Sequence, residues 1–150
     1  MFERILAAVD GSEGALAALD MAVQLQSKCD SELLILCVYR HYSLLEASMS
    51  MVRPEEPENL DDSMREYAGS VVESAKKFAV ERSAKQVRGF IKGGPPARTI
   101  VSFAKEKGAG LIVIGSRGLG DIEGYLLGSV SHKVTSLAAC PVMVVRPPAA

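Results

Sequence analysis

Tryptophan is absent from this chain of 150 residues, and aromatic side chains make up only 5% of it. So few aromatic side chains offer little for base stacking, and a formal net charge of -1 supplies no basic field. Nucleic acid is therefore not an expected partner. Cysteine is scarce as well. Cys29, Cys37 and Cys140 are odd in number and show no Cys-x-x-Cys spacing, which argues against a disulfide framework and a zinc site. Cys37 falls inside an apolar strand pattern and Cys140 just before another, where thiols act as small hydrophobes.

Long apolar runs are missing too. Nowhere do ~18 consecutive apolar residues occur that would cross a bilayer. After Glu3 and Arg4 only Ile5 to Val9 are apolar before Asp10, too few for a signal-peptide core. The expected location is the cytoplasm, with no direct insertion into a membrane. Catalytic signatures are equally sparse. There is no Gly-x4-Gly-Lys-Ser/Thr loop, and Lys133 comes too late after Gly128 to act as its lysine. No His-Glu-x-x-His run, Ser-His-Asp order or metal-ligand spacing accompanies the two histidines, and His132 reads as a surface or packing residue.

What is present is the composition of an ordinary globular protein, 48% hydrophobic and 23% charged, of a length suited to one domain spanning residues 1–150. Ile5 to Val9 reads as a buried strand, ended by Asp10-Gly11-Ser12 with Ser12 as helix N-cap. Ala15, Ala18, Leu19, Ala22 and Leu25 share one face of that helix, to about Ser27. Glu32 to Tyr39 is a continuously apolar strand, as one covered on both faces should be. Apolar residues from Met64 to Ala79 then repeat with helical period for about four turns. Gln86 to Lys92 fits a short strand. Gly93-Gly94-Pro95-Pro96 turns into a helix with Ala97, Ile100, Val101 and Ala104 as its buried face. Leu111 to Ile114 is a fourth strand. A helix after Gly128 buries Val130, Val134, Leu137 and Ala138, and Pro141 to Val145 is a last strand.

This alternation implies an open parallel five-stranded sheet with helices on both faces, which binds ligands where the strand order reverses. The stretch from Arg40 to Asp61 has neither period and reads as a mobile insert, a lid being the alternative.

Gly115-Ser-Arg-Gly118 follows the fourth strand, and Gly128-Ser129 comes nine residues later at the start of a helix. Glycines that reach positive φ let a loop aim several N–H groups at one anion, and a helix N-terminus adds unpaired donors and the positive dipole end. Ser129 and Ser131 contribute hydroxyls there, so the pattern is that of a phosphate site built mostly of backbone. Asp10 reads as a ribose hydrogen-bond acceptor, a turn residue, or a carboxylate for a metal-bound phosphate. Arg117 either neutralises phosphate or is a solvated turn residue.

Ile5-Leu-Ala-Ala-Val-Asp-Gly-Ser12, Leu33 to Val38, Gly94-Pro95, Gly115-x2-Gly118-x9-Gly128-Ser129 and Pro141 to Val145 together resemble the universal stress protein family, in its ATP-binding subgroup. The resemblance implies strand order 3-2-1-4-5 in a fold like that of the adenine nucleotide alpha hydrolases. It implies that Asp10 contacts the adenine or ribose side with Ala8 and Val9 lining its pocket, and that the Val38 backbone reads the adenine edge. Ile114, Gly115, Arg117, Gly118, Gly128, Ser129, Val130 and Ser131 match its ribose and phosphate contacts. It further implies a homodimer through Val142 to Val145, whose edge is otherwise shielded only by Arg146-Pro147-Pro148.

The expected ligand is ATP with Mg2+ held mainly by phosphate oxygens and water. The expected activity is nucleotide-dependent regulation, and the resemblance implies a protein, such as a membrane transporter, as the regulated partner. A slow Mg-dependent ATPase or nucleotidyl-transfer enzyme using Asp10, and a scaffold dimer without nucleotide, are the alternatives.

Overall fold

A computed structural model describes residues 2–40, 57–118 and 127–147 of the chain. The elements run β1 (Arg4–Ala8), α1 (Glu13–Cys29), β2 (Glu32–Tyr39), α2 (Pro57–Glu81), β3 (Val87–Gly93), α3 (Pro96–Lys107), β4 (Leu111–Gly115), α4 (Ser129–Leu137) and β5 (Val142–Val145). They build one parallel sheet, as the alternation of elements implies, of order β3-β2-β1-β4-β5, as the family resemblance implies.

Period-two alternation divides the strand side chains between two layers. Ile5, Ala7, Leu33, Ile35, Leu111 and Val113 pack under α1 and α2. Leu6, Ala8, Leu34, Leu36, Ile112 and Ile114 pack under α3 and α4. A fully buried Leu or Ile in either layer stabilises the fold by about 1.5–3 kcal/mol. Ala15, Ala18 and Ala22 let α1 sit close on the sheet.

Helix ends follow the local chemistry. Ser12 caps α1, its Oγ accepting the Ala15 N–H at 3.1 Å. The far end of α1 runs past Ser27 to Cys29 and closes on Asp30 in the left-handed conformation. α2 begins at Pro57, earlier than the apolar period alone implies, so the acidic end of the aperiodic stretch belongs to a helix. A proline with fixed φ followed by Glu58 favours a helix start, whatever the apolar pattern. The remainder of the expected insert, residues 41–56, lies outside the described residues.

Two expected core positions are corrected. In α3, Phe103 is buried and Val101 only partly so. Phe103 packs against Phe90 of β3 with ring centroids 4.9 Å apart, a partner no local pattern announces. In α4, Leu137 is 51% exposed because the helix ends there and only Ser131 and Val134 are buried.

Candidate functional site

The sheet order reverses between β1 and β4, and the chain leaves both strands toward the same crevice. Beyond β1, the Asp10 Oδ1 accepts the Ser12 N–H at 2.9 Å, which sets the turn into α1. Beyond β4, the Ser116 N–H donates to the Val145 carbonyl at 2.8 Å, anchoring the exit to β5. The Ser116 carbonyl then accepts the Gly128 N–H at 2.6 Å and the Ser131 hydroxyl at 2.9 Å. Ser116 thus holds both ends of the glycine-rich segment together.

Glycine has a different role here from the one its conformational freedom suggests. Gly115 is the last residue of β4, and Gly128 sits at φ -71° and ψ 167° as the residue before α4. Neither is among the glycines with positive φ. What Gly115 allows is close approach: a β-carbon on it would stand 2.8 Å from the Gly14 carbonyl oxygen. A β-carbon on Gly14 would in turn stand 2.8 Å from the Arg117 carbonyl oxygen. The first turn of α1 therefore presses directly on the β4 exit.

The crevice so formed has a volume of about 240 Å³. Ala8, Val9, Val38 and Ile114 give it an apolar end, and Asp10, Gly115, Arg117, Gly118, Ser129, Val130 and Ser131 line the rest, so that of the expected residues Gly128 alone is not in the lining. Gly128 stands immediately behind this lining, before the first turn of α4. No side chain caps α4, and its first regular bond runs from the His132 N–H to the Gly128 carbonyl at 3.0 Å. The amides of Ser129, Val130 and Ser131 thus have no helical carbonyl one turn behind them. With no acidic residue in that turn, the helix end suits an anion.

Ser131 differs from its expected role, because its buried hydroxyl is engaged by the Ser116 and Gly128 carbonyls. Ser12, Ala15, Leu36, Arg40, Pro96 and Ile100 also line the crevice, and sequence reasoning missed them. Ser12 was legible as a cap. The others come from α1, from α3, and from the interior of β2 and the residue that follows it, and only packing brings them there.

Cys37 lies below the crevice on the α1 side, and its thiol is pushed up to about 11, first by burial and then by the charge of Asp10. It is a neutral, inert thiol at ordinary pH. Among the described residues no cluster of His, Cys, Asp or Glu forms a metal site, so a cation here would depend on oxygens from the ligand.

A model of the universal stress protein family matches residues 1–146. The chain belongs to the universal stress protein family. Universal stress protein YxiE of Bacillus subtilis is 40% identical, the match covering 97% of this chain and 100% of that protein. The solved structure of protein MJ0577 superposes with a TM-score of 0.83 at 29% identity, covering 100% of this chain and 99% of the other. A universal stress protein solved in complex with cAMP superposes with a TM-score of 0.74 at 26% identity, covering 98% and 99% of the two chains. This universal stress protein therefore shares both sequence and fold with a relative that holds an adenine nucleotide. Among its described residues no helix is long and apolar enough to cross a membrane.

Proposed function

We propose that this crevice binds ATP, and that the chain acts in the cytoplasm as a homodimer whose nucleotide state is read by a protein partner, such as a membrane transporter. The observation that carries the reading is the convergence of Asp10, the Gly115 to Gly118 exit and the uncapped amides of α4 on one cavity. The apolar slot of Ala8, Val9, Val38 and Ile114 suits a planar base, and Asp10 suits a ribose hydroxyl. The backbone amides and Arg117 suit phosphates. The structurally similar protein bound to cAMP supports adenine as the base.

Arg40 and Arg117 are the only formal cations among the described residues lining the crevice, so the remaining triphosphate charge falls to Mg2+ held by phosphate oxygens and water, with Asp10 the one carboxylate nearby. That composition favours holding the ligand over cleaving it. A partner responds only if it binds the filled and empty forms with different affinity. A change in the α1 turn or the β4 exit, which meet at Gly14 and Gly115, is the contact through which occupancy is transmitted.

Mass spectrometry of small molecules released from the purified, untreated protein tests the reading directly. Adenine nucleotide is expected in the extract, and ATP incubated with the protein and Mg2+ should persist uncleaved. Gly118→Val puts a branched side chain into the crevice lining and is expected to abolish ATP binding while the thermal midpoint is kept. Unchanged affinity in that variant would overturn the phosphate placement.

A further inference from the structure

A second cavity of about 410 Å³ opens from the nucleotide crevice between α3 and α4. The two share Arg40, Pro96, Ser129 and Val130 as common walls. Beyond those walls the groove gains Arg98 from α3 and His132 and Lys133 from α4, and no carboxylate lines it among the described residues. Arg40, Arg98 and Lys133 are exposed, and none forms an ion pair with a described carboxylate.

The backbone points the same way. Pro95 precedes α3 without a side-chain cap bond, and the first regular bond of that helix runs from the Thr99 N–H to the Pro95 carbonyl at 3.0 Å. The Ala97 and Arg98 amides therefore lack a helical carbonyl behind them, as do the first amides of α4. Neither helix has an acidic residue in its first turn. Two uncapped helix starts and three cations thus border one groove, continuous with a crevice already suited to phosphate. At about 240 Å³ the crevice alone is smaller than the ~300–1,000 Å³ usual for ligand sites, and with the groove it falls inside that range.

We propose that this groove is a second anion subsite, which takes phosphoryl groups running out of the nucleotide crevice between Arg98 and Lys133. The inference rests on the nucleotide reading for the ligand's direction, though not for the groove's own chemistry. The phosphoryl groups come either from the distal end of a long nucleotide tail or from free inorganic polyphosphate.

Calorimetric titration of the full chain with AMP, ATP, adenosine 5′-tetraphosphate and inorganic tripolyphosphate separates these sources. The test variant combines Arg98→Gln with Lys133→Gln, both at exposed positions outside the crevice lining, and thermal melting confirms its fold. AMP affinity should be unchanged in the variant, while the tetraphosphate should weaken about tenfold or more. An equal loss for tripolyphosphate alone assigns the groove to free polyphosphate, and a loss confined to the tetraphosphate assigns it to the nucleotide tail. A variant that binds all four ligands as the wild type does would overturn the subsite. If AMP and ATP fail to bind the wild type, the nucleotide reading fails. A tripolyphosphate signal that the variant loses would still support the groove.

Discussion

The Ser131 hydroxyl donates to the Ser116 carbonyl at 2.9 Å, from inside α4 to the first residue beyond β4. Because the same carbonyl accepts the Gly128 N–H, the start of α4 is fixed to the sheet by its own backbone. Ser131→Ala should cost about 1 kcal/mol of stability, a fall in Tm of about 2–4 °C, together with weaker ATP binding. Thermal melting with and without ATP checks this. Loss of affinity with no loss of stability would return the hydroxyl to the ligand.

Gly115 and Gly14 make the second constraint on the site. All three of the nearest atoms to a β-carbon at 115 are backbone, the closest at 2.8 Å, so no side chain can rotate away to make room. Gly115→Ala should therefore destabilise by about 1–3 kcal/mol in urea unfolding and displace the α1 turn from the crevice, with reduced ATP affinity. A fully stable variant would show that the two backbones have room to separate.

The dimer proposal depends on the open side of β5. The Ile112 N–H donates to the Pro141 carbonyl and the Ser116 N–H to the Val145 carbonyl, so alternation turns the backbone groups of Val142 and Val144 outward. Val144→Pro removes an outward donor while leaving the ladder to β4. Sedimentation should show a dimer for the wild type and a single chain for the variant. A wild type that sediments as one chain would refute pairing through this edge.

Cys37 provides a pH-dependent signal next to the site. Its folded pKa is about 11, raised from 9.0 by burial and then by Asp10, so the folded state keeps a proton that the unfolded state releases. The resulting stability is full below pH 9 and is lost as pH rises toward 11, with a slope of at most about 1.4 kcal/mol per pH unit. Cys37→Ala should lack that slope in denaturant titrations across this window. Alkylation at pH 8 should spare Cys37 and modify the partly exposed Cys29.

Much of the site was legible from sequence because its parts lie at strand ends, and a strand end is a local signal. Apolar runs locate β1 and β4, and Asp10 and Gly115 follow where those runs stop. That the sheet is open and parallel follows from alternation and the handedness of crossovers, whereas its order 3-2-1-4-5 came from the family resemblance, because the same alternation is compatible with other orders. The glycine spacing pointed to conformational freedom at Gly115, whereas its place in the fold is set by contact with Gly14, made across 101 positions of sequence and without local trace.

The sequence by itself determined which segments form strands and helices and where the chain must turn, because periodicity reports how each element meets core and solvent. Only the tertiary structure decided that Ser116 ties Gly128 to the sheet, that Phe103 meets Phe90, and that Arg40, Pro96 and Arg98 approach α4. Those contacts join elements far apart in the chain, and their geometry is set by packing and backbone approach, which no single segment encodes.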